Sequence, residues 1–361
     1  MHVVIAGGGT GGHLFPGIAL AEELTARGHE VTFVGTERGL EARVVPRAGY
    51  ALELIDVSGL KRMGLMGTLR GLGRLPRAFL QARAILQRTE PAVVVGVGGY
   101  ASGPLVMAAA LARRPTAILE QNSIPGVTNR ILGRVVRRVF GAFEESRGFF
   151  PARKFVLAGN PIRRQVVDAL TAGERCPGPP RLFVCGGSLG AQAVNAAVVD
   201  ALALLAARGA LPEVLHQTGP GDLEATKARY AAAGLDGRVD VRAFLDDMAS
   251  AYRDADLVIA RAGATTIAEL TALGRATVFV PFPFAADDHQ TVNARALVEA
   301  GAARAIPQSA LTPEGLAAEI TALFADPAGR EKMADAMRAR GKPFAARAIV
   351  DALEELASRV S

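Results

Sequence analysis

The sequence predicts an α/β fold made of two Rossmann-like domains, each built on a parallel sheet. Short apolar runs alternate with helical stretches along the 361 residues, and a strand followed by a glycine-rich loop and a helix begins each half of the chain. Half of the residues are hydrophobic and 21% are charged, which is typical of an ordered globular protein. A chain of this length can bury two full cores.

The predicted strands are continuous apolar runs, which are typical of strands that helices cover on both faces. We place them at residues 3–6, 31–34, 92–97, 116–119, 181–184, 214–216, 257–260 and 276–280. Helices are predicted at residues 14–26, 191–208 and 345–360. We predict one domain at residues 1–160, a second at residues 161–340, and a C-terminal helix within residues 341–361 that packs back on the first domain.

The first glycine-rich loop, GGGTGGH at residues 7–13, lies between a predicted strand and a predicted helix. This arrangement aims backbone N–H groups and a positive helix end at an anion. The glycine spacing matches the dinucleotide fingerprint, and Glu37 after the next strand could hold a ribose. A purely structural turn is a second interpretation. A third is a loop against a phosphorylated or sugar-bearing substrate, with His13 as a neutral base.

Two further polar loops follow the next predicted strands of the first half. They are GVGGYASGP at residues 96–104 and EQNS at residues 120–123. Because the carboxyl ends of parallel strands share one edge of the sheet, both loops are expected beside the first glycine-rich loop. Each loop could be merely structural, but together they favour a substrate pocket.

The second half carries its own candidate anion site. In RAGATTIAE at residues 261–269, Gly263 and the residues after it would begin a helix whose N–H and hydroxyl groups can bind a diphosphate, and Glu269 could accept from ribose hydroxyls. A plain capped helix is the alternative. A dense polar cluster, DDHQTVN, follows at residues 287–293. Asp254 and Asp256 form an Asp-x-Asp pattern, but they precede a strand and so lie at the wrong end of the sheet for a metal–nucleotide site.

Residues 57–89 are basic and contain no acidic residue. They form either a core-packed helix with a solvated basic face or a surface that lies on an anionic membrane. Arg134, Arg137 and Arg138 form a second basic cluster that could extend such a surface. The net charge of +6 then has a local explanation, and we expect no nucleic-acid partner because no recognition signature accompanies it.

Other bulk features predict a soluble cytoplasmic protein. The chain has two cysteines, which fit a reducing compartment better than a disulfide framework. No run reaches the ~18 apolar residues of a membrane span, and residues 1–6 are too short for a signal peptide. The sequence contains no Walker loop, zinc-ligand spacing or Gly-x-Ser-x-Gly elbow.

Together these motifs resemble the MurG family, the peptidoglycan N-acetylglucosaminyltransferases of glycosyltransferase family 28. Eight segments carry the resemblance in the family's order over nearly the whole chain. They are GGGTGGHLFPGIALA (7–21), VGVGGYASGP (95–104), EQNSIPGVTNR (120–130), GNPIR (159–163), GGSLGA (186–191), FLDDM (244–248), RAGATTIAEL (261–270) and VPFPFAADDHQTVNA (280–294). The resemblance implies the GT-B architecture, in which two Rossmann-like domains face each other across a cleft.

The resemblance implies an inverting transfer of N-acetylglucosamine from UDP-N-acetylglucosamine to the muramoyl 4-hydroxyl of lipid I (undecaprenyl-diphospho-MurNAc-pentapeptide), which gives lipid II. Inversion fits a single displacement, in which one base removes the acceptor proton while charge gathers on the UDP oxygens. Backbone N–H groups and a helix dipole can stabilise that charge, so we expect no cofactor and no metal. The implied location is peripheral, on the anionic cytoplasmic face of the plasma membrane.

Carried over position by position, the resemblance also implies site residues. His13 and Glu120 are alternative candidates for the base. The implied donor contacts are Thr10, Gly11, Gly12, Asn122, Arg163, Ser188, Leu245, Ala264, Thr265, Thr266, Glu269, His289 and Gln290. The implied acceptor contacts are Gly9, His13, Tyr100 and Asn129. The implied membrane patch comprises Leu65, Met66, Leu69, Arg70, Leu72, Arg74, Leu75, Arg77 and Phe79.

Two rival functions come from other classes. An NAD-dependent dehydrogenase would use the first glycine-rich loop and leave the polar groups at residues 261–269 without a role. A non-catalytic membrane scaffold would use only residues 57–89 and leave every polar loop unexplained. The transferase is the interpretation that uses all of these features.

Overall fold

The computed structural model describes residues 1–57, 65–171, 178–187 and 190–359. The chain divides into two compact units: unit 1 comprises Met1–Arg164 with Pro343–Ser361, and unit 2 comprises Gln165–Lys342. Each unit contains one sheet in which every described pair of neighbouring strands is parallel. The predicted fold class, two α/β domains with parallel sheets, is confirmed.

Unit 1 is built on a seven-stranded sheet. Its strands are β1 (His2–Ala6), β2 (Glu30–Gly35), β3 (Ala51–Leu54), β4 (Val93–Gly96), β5 (Thr116–Glu120), β6 (Arg138–Gly141) and β7 (Phe155–Leu157), in the order β3-β2-β1-β4-β5-β6-β7. Its helices are α1 (Gly11–Ala26), α2 (Glu41–Arg47), α3 (Leu65–Thr89), α4 (Ser102–Leu111), α5 (Val127–Val135) and α14 (Ala345–Ser358).

The alternation of side chains along each strand divides the core of unit 1 into two layers. Val3 and Ile5 of β1 pack with α1 and α14 on one face of the sheet. Val4 and Ala6 pack with α3, α4 and α5 on the other face. Apolar side chains therefore cover both faces of β1, which explains why its sequence is an uninterrupted apolar run.

Unit 2 is built on a six-stranded sheet. Its strands are β8 (Arg181–Cys185), β9 (Glu213–Gln217), β10 (Asp240–Arg242), β11 (Leu257–Ala260), β12 (Thr277–Phe279) and β13 (Arg304–Ala305), in the order β10-β9-β8-β11-β12-β13. The helices that follow β7 are α6 (Arg164–Ala169), α7 (Gln192–Ala207), α8 (Leu223–Ala232), α9 (Met248–Asp254), α10 (Ala264–Leu273), α11 (His289–Glu299), α12 (Pro313–Ala325) and α13 (Pro327–Arg338). In each unit the first three strands extend from the first strand toward one side of the sheet, and the fourth strand pairs with the other side of the first strand. This change of direction beside the first strand is where doubly wound folds bind ligands.

Within the described residues, all eight predicted strands are present, together with five strands that the sequence does not predict. Four of these, β3, β7, β10 and β13, lie at sheet edges, where partial exposure breaks the apolar run. The fifth, β6, begins with Arg138, a member of the second basic cluster. No helix within the described ranges is long and apolar enough to cross a membrane.

The final helix, α14, belongs to unit 1 and packs against α1. Ile349, Val350 and Leu353 are completely buried in the layer that α1 also forms. At the edge of this contact, Nη1 of Arg27 on the C-terminal side of α1 lies 2.6 Å from Oδ1 of Asp351 on α14. The C-terminal segment therefore completes the core of the unit in which the chain begins.

We expect Leu353→Ala to lower the free energy of unfolding of unit 1 by about 2–5 kcal/mol, because it leaves a cavity in a closely packed apolar layer. The measurement is urea denaturation followed by circular dichroism. Glu355→Ala, an exposed change on the same helix, is the matched control and should cost about 0.5 kcal/mol or less. Equal stabilities for the two variants would contradict the packing described for α14.

Candidate active site

In unit 1, three loops leave the sheet at one edge. They follow β1, β4 and β5, which are neighbours in the sheet. Ala6 pairs with Gly96, and Gly96 pairs with Ile118, so the strands end at nearly the same level. The loops that follow these three strands therefore begin next to one another.

The first two of these loops are in direct contact. The backbone N–H of Gly8 donates to the carbonyl of Gly98 at 3.3 Å. The hydroxyl of Ser102, at the start of α4, donates to the carbonyl of Ala6 at 2.6 Å and accepts from the N–H of Gly98 at 3.1 Å. A Cβ on Gly99 would overlap the backbone of Gly8. The glycines are therefore required by the close approach of two main chains.

His13 lies in the first turn of α1, which begins at Gly11, three residues earlier than predicted. Its Nδ1 lies 3.2 Å from the hydroxyl oxygen of Thr10. Its ring packs on Gly98, where a Cβ would lie 2.5 Å from the Cδ2 atom of the ring. The imidazole is half-buried and is positioned by both glycine-rich loops. It can accept a proton from a hydroxyl group that binds at this edge.

Glu120, the other candidate base, is buried and organises the third loop. Its carboxylate accepts from the backbone N–H of Asn122 at 3.0 Å and from the side-chain amide of Asn129 at 2.8 Å. Burial raises the pKa of this carboxyl from 4.5 to about 7, and hydrogen bonds from Asn122, Asn129 and Gly126 oppose the rise. The Glu120 carboxylate therefore already accepts hydrogen bonds from residues that follow it in the chain.

The remaining unit 1 residues implied by the resemblance vary in exposure. Gly9, Thr10, Gly12 and Tyr100 are exposed, and Gly11 and Asn122 are half-buried. Asn129 is buried and also donates to the carbonyl of Leu119, so it stabilises the loop from within. The guanidinium of Arg163 lies 5.9 Å from the centre of the Phe15 ring at the start of α1.

Two further polar residues link the loops of this edge. The sequence predicts Gln121 only as part of the EQNS loop, and it does not predict Glu41. Gln121 is buried and donates to the carbonyl of Val97 at 2.9 Å, which joins the second and third loops. Glu41 is buried and accepts from the N–H of Gly9 at 2.7 Å. Clusters of glycine make loops recognisable in a sequence. A single carboxylate that accepts from a loop 32 residues away has no such pattern.

In unit 2, the loops after β8, β11 and β12 share the corresponding edge. Ala260 pairs with Cys185 on one side and with Phe279 on the other. The helix α10 begins at Ala264 and is preceded by Gly263, which has no side chain to cap its N–H groups. A helix start of this kind binds anions such as a diphosphate.

The implied donor contacts of unit 2 lie on and around this helix start. Thr265 and Thr266 are half-buried in the first turn of α10, whereas Ala264 and Glu269 are buried. Leu245 is buried as well. Ser188 lies outside the described residues, as do the side chains of residues 65–75 in the implied membrane patch, which are Leu65, Met66, Leu69, Arg70, Leu72, Arg74 and Leu75.

A buried arginine joins two of these loops. Arg261 donates to the carbonyls of Val280 and Pro281 at 3.0 and 3.1 Å and to the side chain of Gln308 at 2.7 Å. Burial lowers the pKa of its guanidinium to about 10, so it stays charged near neutral pH. The side-chain amide of Asn293 donates to the carbonyl of Ala262 at 3.3 Å and adds a second link.

The last two implied donor contacts, His289 and Gln290, are the first two residues of α11. Gln290 accepts from the backbone N–H of Phe282 at 2.9 Å, and Nδ1 of His289 lies 2.7 Å from the carbonyl oxygen of Ala286. Asp287 and Asp288 both adopt left-handed backbone angles, with φ of 55° and 52°. Consecutive non-glycine residues in this region are uncommon and mark a conformation that the surroundings enforce.

The Asp-x-Asp pattern lies before β11, at the amino end of the sheet, as predicted. Asp256 accepts from the backbone N–H of Arg181 at 2.8 Å, which ties the starts of two strands together. In the part of the chain that the structure describes, no three His, Cys, Asp or Glu residues lie close enough together to hold a metal ion.

Comparison with protein families matches both units to one family. Residues 3–141 match the glycosyltransferase family 28 N-terminal domain, and residues 181–350 match the glycosyltransferase family 28 C-terminal domain. Among curated proteins, one from Anaeromyxobacter sp. (strain K) is 53% identical over 99% of this chain and 94% of its own length. One from Myxococcus xanthus is 52% identical over 99% and 93%. Both are named as a pyrophosphoryl-undecaprenol N-acetylglucosamine transferase.

Among solved structures, the chain is similar to the crystal structure of MurG from Acinetobacter baumannii. The identity is 35% and the TM-score is 0.80, with 98% of this chain and 99% of that chain covered. A UDP-GlcNAc 2-epimerase from Neisseria meningitidis, solved with UDP-GlcNAc bound, shares the fold at 13% identity and a TM-score of 0.70, with 98% of this chain and 100% of that chain covered.

We expect the stability of Glu120→Gln relative to the wild type to rise with pH. Because burial raises the pKa of the Glu120 carboxyl from 4.5 to about 7, the folded wild type binds this proton more tightly than the unfolded chain does. Ionisation therefore costs wild-type stability as pH rises through that window, by at most about 3 kcal/mol, and glutamine avoids the cost.

The measurement compares urea denaturation of both proteins at about pH 5 and about pH 8. Glu37→Gln at an exposed position is the control. A difference between Glu120→Gln and wild type that does not change with pH would show that the Glu120 carboxyl ionises normally in the fold.

Proposed function

The chain belongs to glycosyltransferase family 28, and we propose that it transfers N-acetylglucosamine from UDP-N-acetylglucosamine to the muramoyl 4-hydroxyl of lipid I, which gives lipid II. The relatives from Anaeromyxobacter and Myxococcus match almost the whole chain, and their names, which include UDP-N-acetylglucosamine and an N-acetylmuramyl-(pentapeptide) pyrophosphoryl-undecaprenol, support this donor and this lipid-linked acceptor. The structural observation that carries the proposal is the uncapped start of α10 beside a buried positive charge in unit 2.

Unit 2 would bind the donor. The diphosphate of UDP would accept from the N–H groups at the start of α10 and from the hydroxyls of Thr265 and Thr266, and Glu269 would accept from the ribose. When the bond between the sugar and the diphosphate breaks, its electron pair stays on the diphosphate oxygen. The helix dipole and the nearby guanidinium of Arg261 would stabilise that charge.

Unit 1 would bind the acceptor, and His13 would be the base. Its half-buried imidazole is positioned by Thr10 and Gly98, whereas the carboxylate of Glu120 is buried and engaged by Asn122 and Asn129. As the acceptor oxygen forms its bond to the anomeric carbon, its proton would pass to His13. One displacement of this kind inverts the configuration at that carbon.

The contacts of the first glycine-rich loop argue against the dehydrogenase alternative. A dinucleotide would place its diphosphate against the N–H groups of that loop, but the N–H of Gly9 already donates to the carboxylate of Glu41. The negative charge of Glu41 would also repel a diphosphate bound there.

We also propose that unit 1 binds the anionic cytoplasmic face of the plasma membrane through α3, α4 and α5. These helices pack side by side on one face of the sheet. Their outer surface exposes Leu80 (66%), Leu111 (68%) and Ile131 (49%). Exposed Arg77 and Arg134 flank them. Inserted apolar side chains and basic residues, each of which adds about 1 kcal/mol near an anionic surface, would hold a peripheral enzyme there.

Two residues of the implied membrane patch, Arg77 and Phe79, have side chains that the structure describes, and their surroundings differ. The side chain of Arg77 is largely exposed and lies 4.0 Å from Asp56, whereas Phe79 is half-buried and packs against the core. On α5, Val127, Ile131 and Val135 are spaced four residues apart and form one exposed apolar stripe. The stripe on α5 therefore extends the proposed surface beyond residues 57–89.

The test of the transferase is to incubate the wild-type protein with radiolabelled UDP-N-acetylglucosamine and a lipid I analogue. We expect label in the lipid product, with and without EDTA. We expect His13→Ala to lower kcat by about 10²–10⁴-fold, which is the usual contribution of a general base. His29→Ala, at a histidine that contacts Glu354 on α14, is the control and should keep wild-type turnover.

Each possible failure has a separate meaning. No label transfer and no UDP binding by the wild type would refute the transferase. Wild-type turnover by His13→Ala would refute only the assignment of the base. Loss of transfer in EDTA would refute only the expectation that N–H groups and Arg261 suffice to stabilise the leaving group.

For the membrane surface, we expect Ile131→Asp to weaken co-sedimentation with vesicles that contain an anionic phospholipid by about tenfold or more, because a charge replaces an inserted apolar side chain. Transfer to a water-soluble acceptor should be unchanged. Phe344→Asp is the matched control, since Phe344 is also exposed but precedes α14, on the opposite face of the sheet. If the two variants bind vesicles equally well, the surface of α3, α4 and α5 is not the membrane contact.

A further inference from the structure

Glu41, the first residue of α2, buries its carboxylate between the first glycine-rich loop and the end of β2. The residue is 1% exposed. One carboxylate oxygen, Oε2, accepts from the N–H of Gly9 at 2.7 Å. The other, Oε1, accepts from the N–H and the hydroxyl of Thr36 at 2.8 and 2.9 Å. Three hydrogen bonds to one buried anion are strong contacts, because a charge in such a place must be solvated by the protein itself.

The sequence leaves room for this carboxylate on three sides. A Cβ on Gly8, at the loop after β1, would overlap it. A Cβ on Gly39, in the turn before α2, would also overlap the carboxylate, and a Cβ on Gly35, at the end of β2, would overlap the Cγ atom of Glu41. One glycine of the first loop and two glycines between β2 and α2 therefore leave the space that the Glu41 side chain fills, and larger residues at these positions would displace it.

The first glycine-rich loop needs such an anchor. Glycine has the most backbone freedom to lose on folding, and the loop after β1 begins with three glycines in a row. Gly9 is followed directly by Thr10, whose hydroxyl oxygen lies 3.2 Å from Nδ1 of His13. The contact from Glu41 to Gly9 thus fixes the segment that leads to the imidazole.

We propose that Glu41 is a positioning residue of the transfer reaction, whose carboxylate holds Gly9 so that Thr10 and His13 adopt the geometry needed for proton transfer. The proposal rests on the proposed function, in which His13 is the base. Because Glu41 is almost completely buried, it would act through the loop and not by direct contact with a substrate. Its removal should displace the imidazole by a fraction of an ångström to an ångström, and errors of that size cost about 10²-fold in rate.

Two variants perturb this contact from opposite sides. In Glu41→Gln, the carboxamide has one acceptor oxygen and cannot accept from both Gly9 and Thr36. In Gly39→Ala, the glutamate is unchanged but the new methyl group overlaps its carboxylate. Gly39 does not adopt a left-handed backbone angle, so alanine is tolerated there by the main chain.

Val45→Ala is the matched control. Val45 is completely buried on the same short helix, so its truncation weakens the packing of α2 without touching the carboxylate. We expect all three variants to lower the melting temperature. We expect Glu41→Gln and Gly39→Ala to lower kcat by about 10–100-fold, because the shift of Thr10 displaces the imidazole of His13. Val45→Ala should keep kcat within about twofold of wild type.

Hydrogen exchange gives a readout that does not depend on activity. Amide exchange in a peptide that contains residues 7–13 should be faster in Glu41→Gln and Gly39→Ala than in Val45→Ala at equal loss of melting temperature. Unchanged exchange in this peptide, wild-type kcat in both variants, or a loss of kcat in Val45→Ala as large as theirs would overturn the positioning role. A wild-type protein that transfers no sugar would refute the proposed function and would leave the exchange result to judge the anchor alone.

Discussion

The parallel register of the two sheets is the constraint on which both candidate half-sites depend. In unit 1, Ala6 pairs with Gly96, and in unit 2, Cys185 pairs with Ala260. Strands that run in the same direction and end at the same level deliver their loops to one edge, with each following helix starting there. The glycine-rich loops and helix starts are therefore brought to one edge by the sheets themselves. The loop contacts then only refine positions that the strands impose.

The two units stabilise these loops with opposite charges. In unit 1, the buried carboxylates of Glu41 and Glu120 each accept hydrogen bonds from loop N–H or amide groups. In unit 2, the buried guanidinium of Arg261 donates to loop carbonyls. In the proposed reaction, a proton moves to His13 in unit 1 as the acceptor oxygen forms its bond to the sugar. Negative charge gathers on the diphosphate in unit 2, where a buried positive charge favours it.

The sequence predicted the central strands well because helices cover them on both faces, which leaves a continuous apolar run such as Val3 to Ala6. It missed edge strands such as β10, in which Asp240 and Arg242 are charged and exposed and only Val241 is apolar. It located the loops of the candidate site through their glycines, but it could not rank His13 against Glu120. That comparison requires burial and hydrogen-bond partners, which depend on contacts such as that between Glu120 and Asn129, nine residues apart. Glu41 was not predicted for the same reason.

The buried carboxylate of Glu41 also explains why a glycine fingerprint alone misleads in this chain. Glycine-rich loops that start helices bind phosphate because their N–H groups point at an anion, and the pattern of glycines says nothing about where that anion comes from. In unit 1 the anion at Gly9 is supplied by the chain itself, so the loop is fixed as a scaffold for Thr10 and His13. In unit 2 the residue before α10 is Gly263, which cannot supply a side-chain oxygen. The same strand–loop–helix element can therefore serve as a rigid support in one unit and as an anion site in the other.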